Sequence, residues 1–585
     1  MNRPFVKSQE ASISVGDYLL ARLQELGIGH VFGVPGDLNL GLLEQLLKQA
    51  EPRWVGCCNE LNAAYAADGY ARLRGVAALM TTYGVGELSA LNGIAGAYAE
   101  RVPVVAITGS PPLSHRRRRS VFHHSLGDGD FGNTLASMTP FTVAQAALTQ
   151  ANAPQEIDRV LRTCLQERRP VYLQLPVDVT FQRVPAPKEP LAQDVSASDP
   201  DSLRLLLEEL VPRLRGARRC ALLVDHDIHS FGLAPQVLAL AEAARLPIAL
   251  LNSARCSIDE EHPAFLGFYG GKLSDPYVRD WVDGADCVVG LGTCFTDLNT
   301  HSFTERLEPS RLVDLQLFSA ALGQGTQGGP PSLYSGLVLK EVLEALTEAL
   351  GSRAAQSFVP RSARLQAMAK APASAPKAGT PLTHAQLWPA LGGLLEPDDV
   401  LVIETGSPSA GFSSTQLPKG ASWVAQPLWL SIGYTLPALL GTSLAAPERR
   451  HLLFIGDGSF LMTAQELSTL LHLKLKPLIF LINNAGYTVE RLIVGPESVY
   501  NDIPKWSYPV VCEALGASGQ ALTLLIEKSE QLAPVLAEAV RAQRDGQLVF
   551  VEVRLARLDA PAGMAQVGAS VYSLYYRDES GLPRF

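Results

Sequence analysis

The chain of 585 residues carries 49 Lys+Arg against 58 Asp+Glu, a formal net charge of −9, with 47% hydrophobic and 18% charged residues. Such a length exceeds what one hydrophobic core organises and calls for several domains. The acidic balance excludes a general basic surface for nucleic acid or an anionic membrane, and no apolar run reaches the length of a membrane span.

In chain order, "MNRPFVKSQEASISVGDYLL" lacks an apolar signal core, so a cytoplasmic location is expected. "FGVPGDLNL" places Asp37 at a turn after a strand, where a capping aspartate reads the same way. In "WVGCCNELNAAYAADGYAR", Glu60 follows an apolar run and opens an Ala-rich helix. A first-turn glutamate favoured by the helix dipole explains that position as well as a catalytic acid does. "SHRRRRSV" concentrates positive charge at Arg116 to Arg119 and reads as a solvated loop. "VFHHSLGDGDF" sets His123 beside His124, either two satisfied loop histidines or a pair able to pass a proton near neutral pH. The eight cysteines show no CxxC pair and no metal-ligand spacing, and read as small buried apolar residues.

Two stretches rich in Pro, Ala and Ser, 185–200 and 359–382, read as linkers. They divide the chain into domains 1–185, 200–358 and 382–585. Within each, short apolar runs such as "VPVVAITG", "PVYLQLP", "CALLVD", "CVVGLG", "DVLVIETG", "HLLFIGDG", "PLIFLINN" and "QLVFVEV" alternate with amphipathic helical patterns. Buried parallel strands crossed over by helices produce that rhythm, so the expected fold class is α/β, three open doubly wound parallel-sheet domains. Ligands in such sheets bind beyond the carboxyl ends of the strands. In the central domain "VVGLGTCF" offers Gly290 and Gly292 without a third glycine, and a tight turn without cofactor is expected there.

In the third domain "HLLFIGDGSF" ends an apolar strand at Gly456, Asp457 and Gly458 and passes at once into a helical pattern. Glycines let a backbone approach phosphate, and an aspartate can bind its metal ion, although a helix-capping Asp looks alike. A second strand, "PLIFLINN", ends at Asn484, 27 residues beyond Asp457, followed by Ala485 and Gly486. One βαβ crossover spans that distance, so the two strand ends can converge. The Asp457 carboxylate, the Asn484 side-chain oxygen and the Gly486 carbonyl are then hard oxygen ligands for Mg²⁺.

GDG followed by NN at this distance resembles the motif of thiamin-diphosphate-dependent enzymes. With the Glu60 segment, "FGVPGDLNL", "VFHHSLGDGDF" and "NNAGYTVE", which ends in Glu490, the chain is similar to 2-oxo acid decarboxylases of the pyruvate, indolepyruvate and branched-chain branch. The resemblance implies thiamin diphosphate and Mg²⁺, a pyrimidine-binding domain, a central domain without cofactor and a diphosphate-binding domain. It implies metal ligands Asp457, Asn484 and Gly486, and cofactor contacts from Glu60, Ser407, Leu430, Ile432, Gly456, Gly458, Ser459 and Tyr487. Glu60 is the expected activator of the cofactor, with Asp37, His123, His124 and Glu490 as the proton relay that lets a 2-oxo acid leave as aldehyde and CO₂ by way of an enamine. Shared active sites, a homodimer at minimum and a homotetramer as typical assembly are implied as well.

Relatives usually carry glycine at Leu430, whose carbonyl receives the cofactor's amino group, and two large aromatics at Ser409 and Ala410. With Val489, and with Val567 and Val571 where larger residues are common, these outline an enlarged substrate pocket. Bulky or long-chain 2-oxo acids are therefore expected to be preferred over pyruvate. An acetolactate-synthase-like carboligase and a non-catalytic metabolite-binding homologue are the alternatives.

Overall fold

The computed structural model describes residues 12–191, 197–323, 330–351, 356–368 and 379–577. The apolar runs form strands whose residues are buried on both faces; Leu452, Leu453, Phe454 and Ile455 are fully buried. Uninterrupted apolar sequence, rather than alternation, is what a parallel sheet covered by helices on both sides requires.

Among the described residues three large sheets form. The first has the order Arg53–Gly56, His30–Gly33, Ala77–Thr82, Val104–Ser110, Val171–Pro176, Gln145–Ala147, all parallel. The third runs Ser422–Val424, Val400–Ile403, His451–Gly456, Leu478–Asn483, Leu548–Arg554, Ala521–Ile526, again all parallel. With strands numbered in chain order, both sheets read 2-1-3-4-6-5. The central sheet reads 3-2-1-4-5-6-7, its last two strands, Ser319–Leu322 and Ser332–Ser335, being antiparallel. The expected class, three open α/β sheets, is the one observed.

Each sheet has a topological switch point between its first strand and the neighbour on the opposite side from its second, and a crevice opens there beyond the strand ends. In the first sheet His30–Gly33 and Ala77–Thr82 flank it; in the third, Val400–Ile403 and His451–Gly456 do. In the central sheet the buried Asp225 sits at this point and accepts hydrogen bonds from the His226 and Cys294 amides. Gly292 there is left-handed, with φ 61°, as a tight turn demands.

The chain packs as two compact units, one comprising 1–194, 434–448 and 463–475, the other the remainder. In the first unit the helix Glu60–Arg74 crosses Thr435–Ala445 so closely that a Cβ on Gly69 would lie 2.4 Å from the Ala438 carbonyl oxygen and one on Gly441 1.9 Å from that of Ala66. The Ala- and Gly-rich composition of this helix follows from that approach. Asp68, buried in the crossing, accepts from Tyr434 Oη at 2.5 Å and pairs with Arg72 at 2.6 Å.

Two expectations change. Part of the second linker, Arg361–Met368, is helical; residues 369–378, like 192–196 of the first linker and the N-terminal 1–11, lie outside the described residues. Of the cysteines read as buried, Cys58 and Cys294 are exposed, since both stand in loops beyond strand ends rather than on a helix or strand face turned to a core. No described helix is long and apolar enough to cross a membrane.

Candidate active site

In the second unit, parallel pairing sets Gly456 beside Ile482, so the strands His451–Gly456 and Leu478–Asn483 end together. Asp457 is 1% exposed. Its Oδ1 accepts the Gly458 N–H at 2.8 Å and its Oδ2 the Gly486 N–H at 3.2 Å. Burial pushes the Asp457 carboxyl up to about 6, against the opposing effect of these amides. Asn484 is buried beside it. Ala485 and Gly486 both take positive φ, 58° and 126°, and a Cβ on Gly486 would meet the Asn501 carbonyl oxygen at 2.2 Å, so only glycine fits.

The two glycines around Asp457 serve different ends. A Cβ on Gly456 would meet no atom within 4 Å, leaving room against that backbone, whereas one on Gly458 would lie 2.4 Å from the Tyr487 ring. Packing against the Tyr487 ring is thus one reason for glycine at 458. Ser459 follows in the first turn of the helix Asp457–Thr463, mostly buried. An acid penalised by burial, an amide side chain and a backbone carbonyl make an oxygen donor set that suits a hard divalent cation, whose charge would offset the desolvation of Asp457.

Across the switch point the helix Ser407–Phe412 begins after Gly406, whose φ is 84°. Ser407 is buried, Ser409 exposed and Ala410 half-buried. Val489 packs 3.3 Å from where a Cβ on Gly406 would stand. Met564, opening the helix Met564–Tyr576, receives the Ser407 hydroxyl at 4.0 Å through its sulfur. On that helix Gly568 fits under the helix Thr488–Ile493, with the Leu492 carbonyl oxygen 2.8 Å from a would-be Cβ. Val567 and Val571, both half-buried, flank this contact. Ser409, Ala410, Val489, Val567 and Val571 thus stand on three helices that touch through Gly406 and Val489, Ser407 and Met564, and Gly568 and Leu492, and Glu490 is exposed on the middle one. Leu430 has φ 55°, the left-handed region, which accounts physically for a glycine preference there. Ile432 is half-buried, and Gly433 next to it fits against Met462 and Ser459.

The first unit holds the other candidates. His123 Nε2 lies 2.7 Å from Asp37 Oδ2, and the His123 and His124 rings meet edge to face at 4.6 Å. The His123 and Asp37 side chains are 54% and 52% exposed. His124 has φ 62°, and its carbonyl oxygen would be 1.9 Å from a Cβ on Gly84. That glycine follows the strand Ala77–Thr82, so the histidine loop is seated at the switch point of the first sheet, beside the strand that leads to Asp37. Glu60 is half-buried at the first position of its helix, which Asn59 caps by accepting the Asn62 N–H at 2.8 Å. Its Oε1 stands 3.1 Å from the Cβ position of Gly86.

Two residues escaped the sequence reading. Buried Glu404 closes the strand Val400–Ile403 and accepts the Gly433 N–H at 3.2 Å, anchoring the Leu430 loop; an ionisable residue ending an apolar strand was the signal. Arg491, fully buried, donates to the carbonyls of Ala485 at 2.6 Å and Asn501 at 3.0 Å and to Asp502 Oδ1 at 2.9 Å. A charged residue on a short helix gave no cue to that role.

The thiamine pyrophosphate enzyme N-terminal TPP binding domain matches residues 13–131, the central domain 207–329 and the C-terminal TPP binding domain 405–553. The alpha-keto-acid decarboxylase of Mycolicibacterium paratuberculosis is 41% identical over 552 residues, 94% of this chain and 95% of that protein. That of Mycobacterium tuberculosis H37Rv is 39% identical over 560 residues, 95% of this chain and 97% of that protein. The Rhodococcus jostii RHA1 thiamine diphosphate-dependent 4-hydroxybenzoylformate decarboxylase superposes with a TM-score of 0.73 over 93% of this chain and 99% of that one, at 21% identity, a likeness of fold. The chain belongs to the thiamin-diphosphate-dependent 2-oxo acid decarboxylases.

Proposed function

We propose that this enzyme releases aldehyde and CO₂ from 2-oxo acids larger than pyruvate, using thiamin diphosphate with Mg²⁺ held by Asp457, Asn484 and the Gly486 carbonyl. The observation that carries the reading is the joining of Asp457, which directly follows a strand flanking the switch point of the third sheet, to the Asn484–Gly486 loop beyond the neighbouring strand. When bound, the cofactor's thiazolium supplies the electron sink for loss of CO₂. Glu60 holds the aminopyrimidine proton on its carboxylate, and the room beside Gly456 admits the diphosphate.

The exposed Asp37–His123 pair, with His124 against it and Glu490, holds and delivers one proton to the product carbon. Ser407, Ser459, Tyr487, Ile432 and the Leu430 carbonyl orient the cofactor. Ser409 and Ala410, small where relatives carry aromatics, leave volume for a longer side chain, and each buried methylene gains roughly 0.8 kcal/mol. Glu60 and Asp457 fall in different compact units. Active sites shared between subunits, a homodimer at minimum and a homotetramer as typical form, in the cytoplasm, complete the proposal.

The test is product analysis with pyruvate, 4-methyl-2-oxopentanoate, phenylpyruvate and 2-oxo-octanoate. Aldehyde is expected from each, with kcat/KM rising from pyruvate to the larger acids. Hydroxyketone as main product, or a preference for pyruvate over all three, contradicts the proposal.

A further inference from the structure

The central sheet reaches the helix that carries Ser409 and Ala410 through a buried ion triad. Glu260 is 3% exposed. Its Oε1 accepts from Arg255 Nε at 3.3 Å, and its Oε2 accepts from Arg361 Nη1 at 3.0 Å and from the Leu417 N–H at 3.2 Å. Three further donors of the two guanidiniums go to one short stretch of backbone. Arg255 Nη1 donates to the Phe412 carbonyl at 2.6 Å and Nη2 to that of Thr415; Arg361 Nη2 donates to that of Ser414 at 3.0 Å.

Phe412 ends the helix Ser407–Phe412, so its carbonyl is one that lacks an intrahelical partner, and it also accepts the Thr415 N–H at 3.0 Å; Ser414 and Thr415 belong to the turn that follows the helix's negative end. Two cations face one carboxylate, and the carbonyl dipoles offset the excess positive charge. A six-residue helix has few internal hydrogen bonds with which to hold itself. What grips its end sets where Ser409 and Ala410 stand. Arg255 is further fixed over the Trp423 ring at 4.7 Å. A second tie runs from Tyr575 Oη to Asp297 Oδ2 at 2.8 Å, linking the central segment to the helix that carries Val567 and Val571.

We propose that Arg255, Glu260 and Arg361 are positioning residues through which the central domain and the helix Arg361–Met368 that follows it fix the helix Ser407–Phe412 and thereby set affinity for the 2-oxo acid. The inference rests on the reading that Ser409 and Ala410 face the substrate. Glu260→Gln leaves two buried guanidiniums opposed without a counter-charge, while Arg255→Lys keeps the charge but loses the forked pair of carbonyl contacts.

The test uses both variants of the full-length holoenzyme, with amide hydrogen exchange across 407–417 and steady-state kinetics on 4-methyl-2-oxopentanoate. In Glu260→Gln, exchange is expected to quicken by about tenfold and KM to rise by about tenfold with kcat within about twofold, Arg255→Lys falling between it and wild type. A lower melting temperature with unchanged KM and unchanged exchange in this stretch overturns the proposal, since that is what a purely structural ion cluster produces. Ser409→Trp is measured alongside. If it leaves the ranking of 2-oxo acids unchanged, the substrate-facing reading fails and takes the proposal with it. If it alters the ranking while the triad variants keep a normal KM, the positioning role alone fails.

Discussion

Gly486 donates its backbone N–H to the buried carboxylate of Asp457 across 3.2 Å, tying the loop after one strand to the loop after its neighbour. Neither loop can move without the other, and the left-handed backbone of Ala485 and Gly486 is held from behind by Arg491.

Replacing Arg491 by Met should therefore damage cofactor binding from a residue that is not itself an assigned ligand. The Ala485 carbonyl loses its Arg491 donor and the Asn501 carbonyl keeps only the Tyr487 N–H, a cost of about 3 kcal/mol. Asp502 keeps Arg557 at 2.8 Å, which preserves the outer part of the loop. Fluorescence titration of the apoprotein with thiamin diphosphate at fixed Mg²⁺ should show affinity lowered by more than ~tenfold. Wild-type affinity would mean that the loop is held by other means.

Leu430 yields a cleaner stability comparison, because glycine and alanine there differ only in a Cβ. At φ 55° the Cβ is the strained atom. Leu430→Gly should be more stable than Leu430→Ala by ~1 kcal/mol in denaturant unfolding, the reverse of the usual order in a helix. If alanine is the more stable, the left-handed backbone at this position is incorrect.

Why some of this was legible and some was not follows from the range of each signal. The run Leu452 to Ile455 announced a strand buried on both faces, and Asn484 announced its neighbour's end, because strand periodicity and crossover length are local properties. That the Tyr487 ring, 29 residues away, packs against Gly458 is visible only once the strands are paired. Arg361 stood in a stretch whose Pro, Ala and Ser content reads as linker, yet it is buried against Glu260, 101 residues earlier in the chain. Composition carries no information about such a partner.

Glu60 and the Asp457–Gly486 pair are separable in experiment. Glu60→Gln keeps shape and hydrogen-bonding reach at the capped helix start but cannot hold a proton as an acid does. Thiamin diphosphate should bind normally while hydrogen–deuterium exchange at its C2 slows by two or more orders of magnitude, roughly the size of an acid–base contribution. Exchange at the wild-type rate would show that another carboxylate does this work.

Stability should fall in mild acid through His384. This side chain is buried, its Nδ1 accepts the Trp388 indole N–H at 2.9 Å, and burial lowers its pKa from 6.5 to about 4. Between those values the unfolded chain binds a proton that the folded chain refuses. Stability from this group is thus intact above 6.5, falls as pH drops below it, and is fully lost below about 4. The loss at pH 5 is ~2 kcal/mol. His384→Gln should show a smaller drop in melting temperature between pH 7.5 and pH 5 than wild type, and an equal drop contradicts the assignment.

The most direct test strips the enzyme with chelator and removes cofactor, then measures aldehyde and CO₂ from 4-methyl-2-oxopentanoate as Mg²⁺ and thiamin diphosphate are returned singly and together, with Asp457→Ala in parallel. The account predicts activity in wild type only when both are restored, and none in the variant at concentrations that saturate wild type. Full activity of the stripped enzyme, or normal activity of Asp457→Ala, would contradict it.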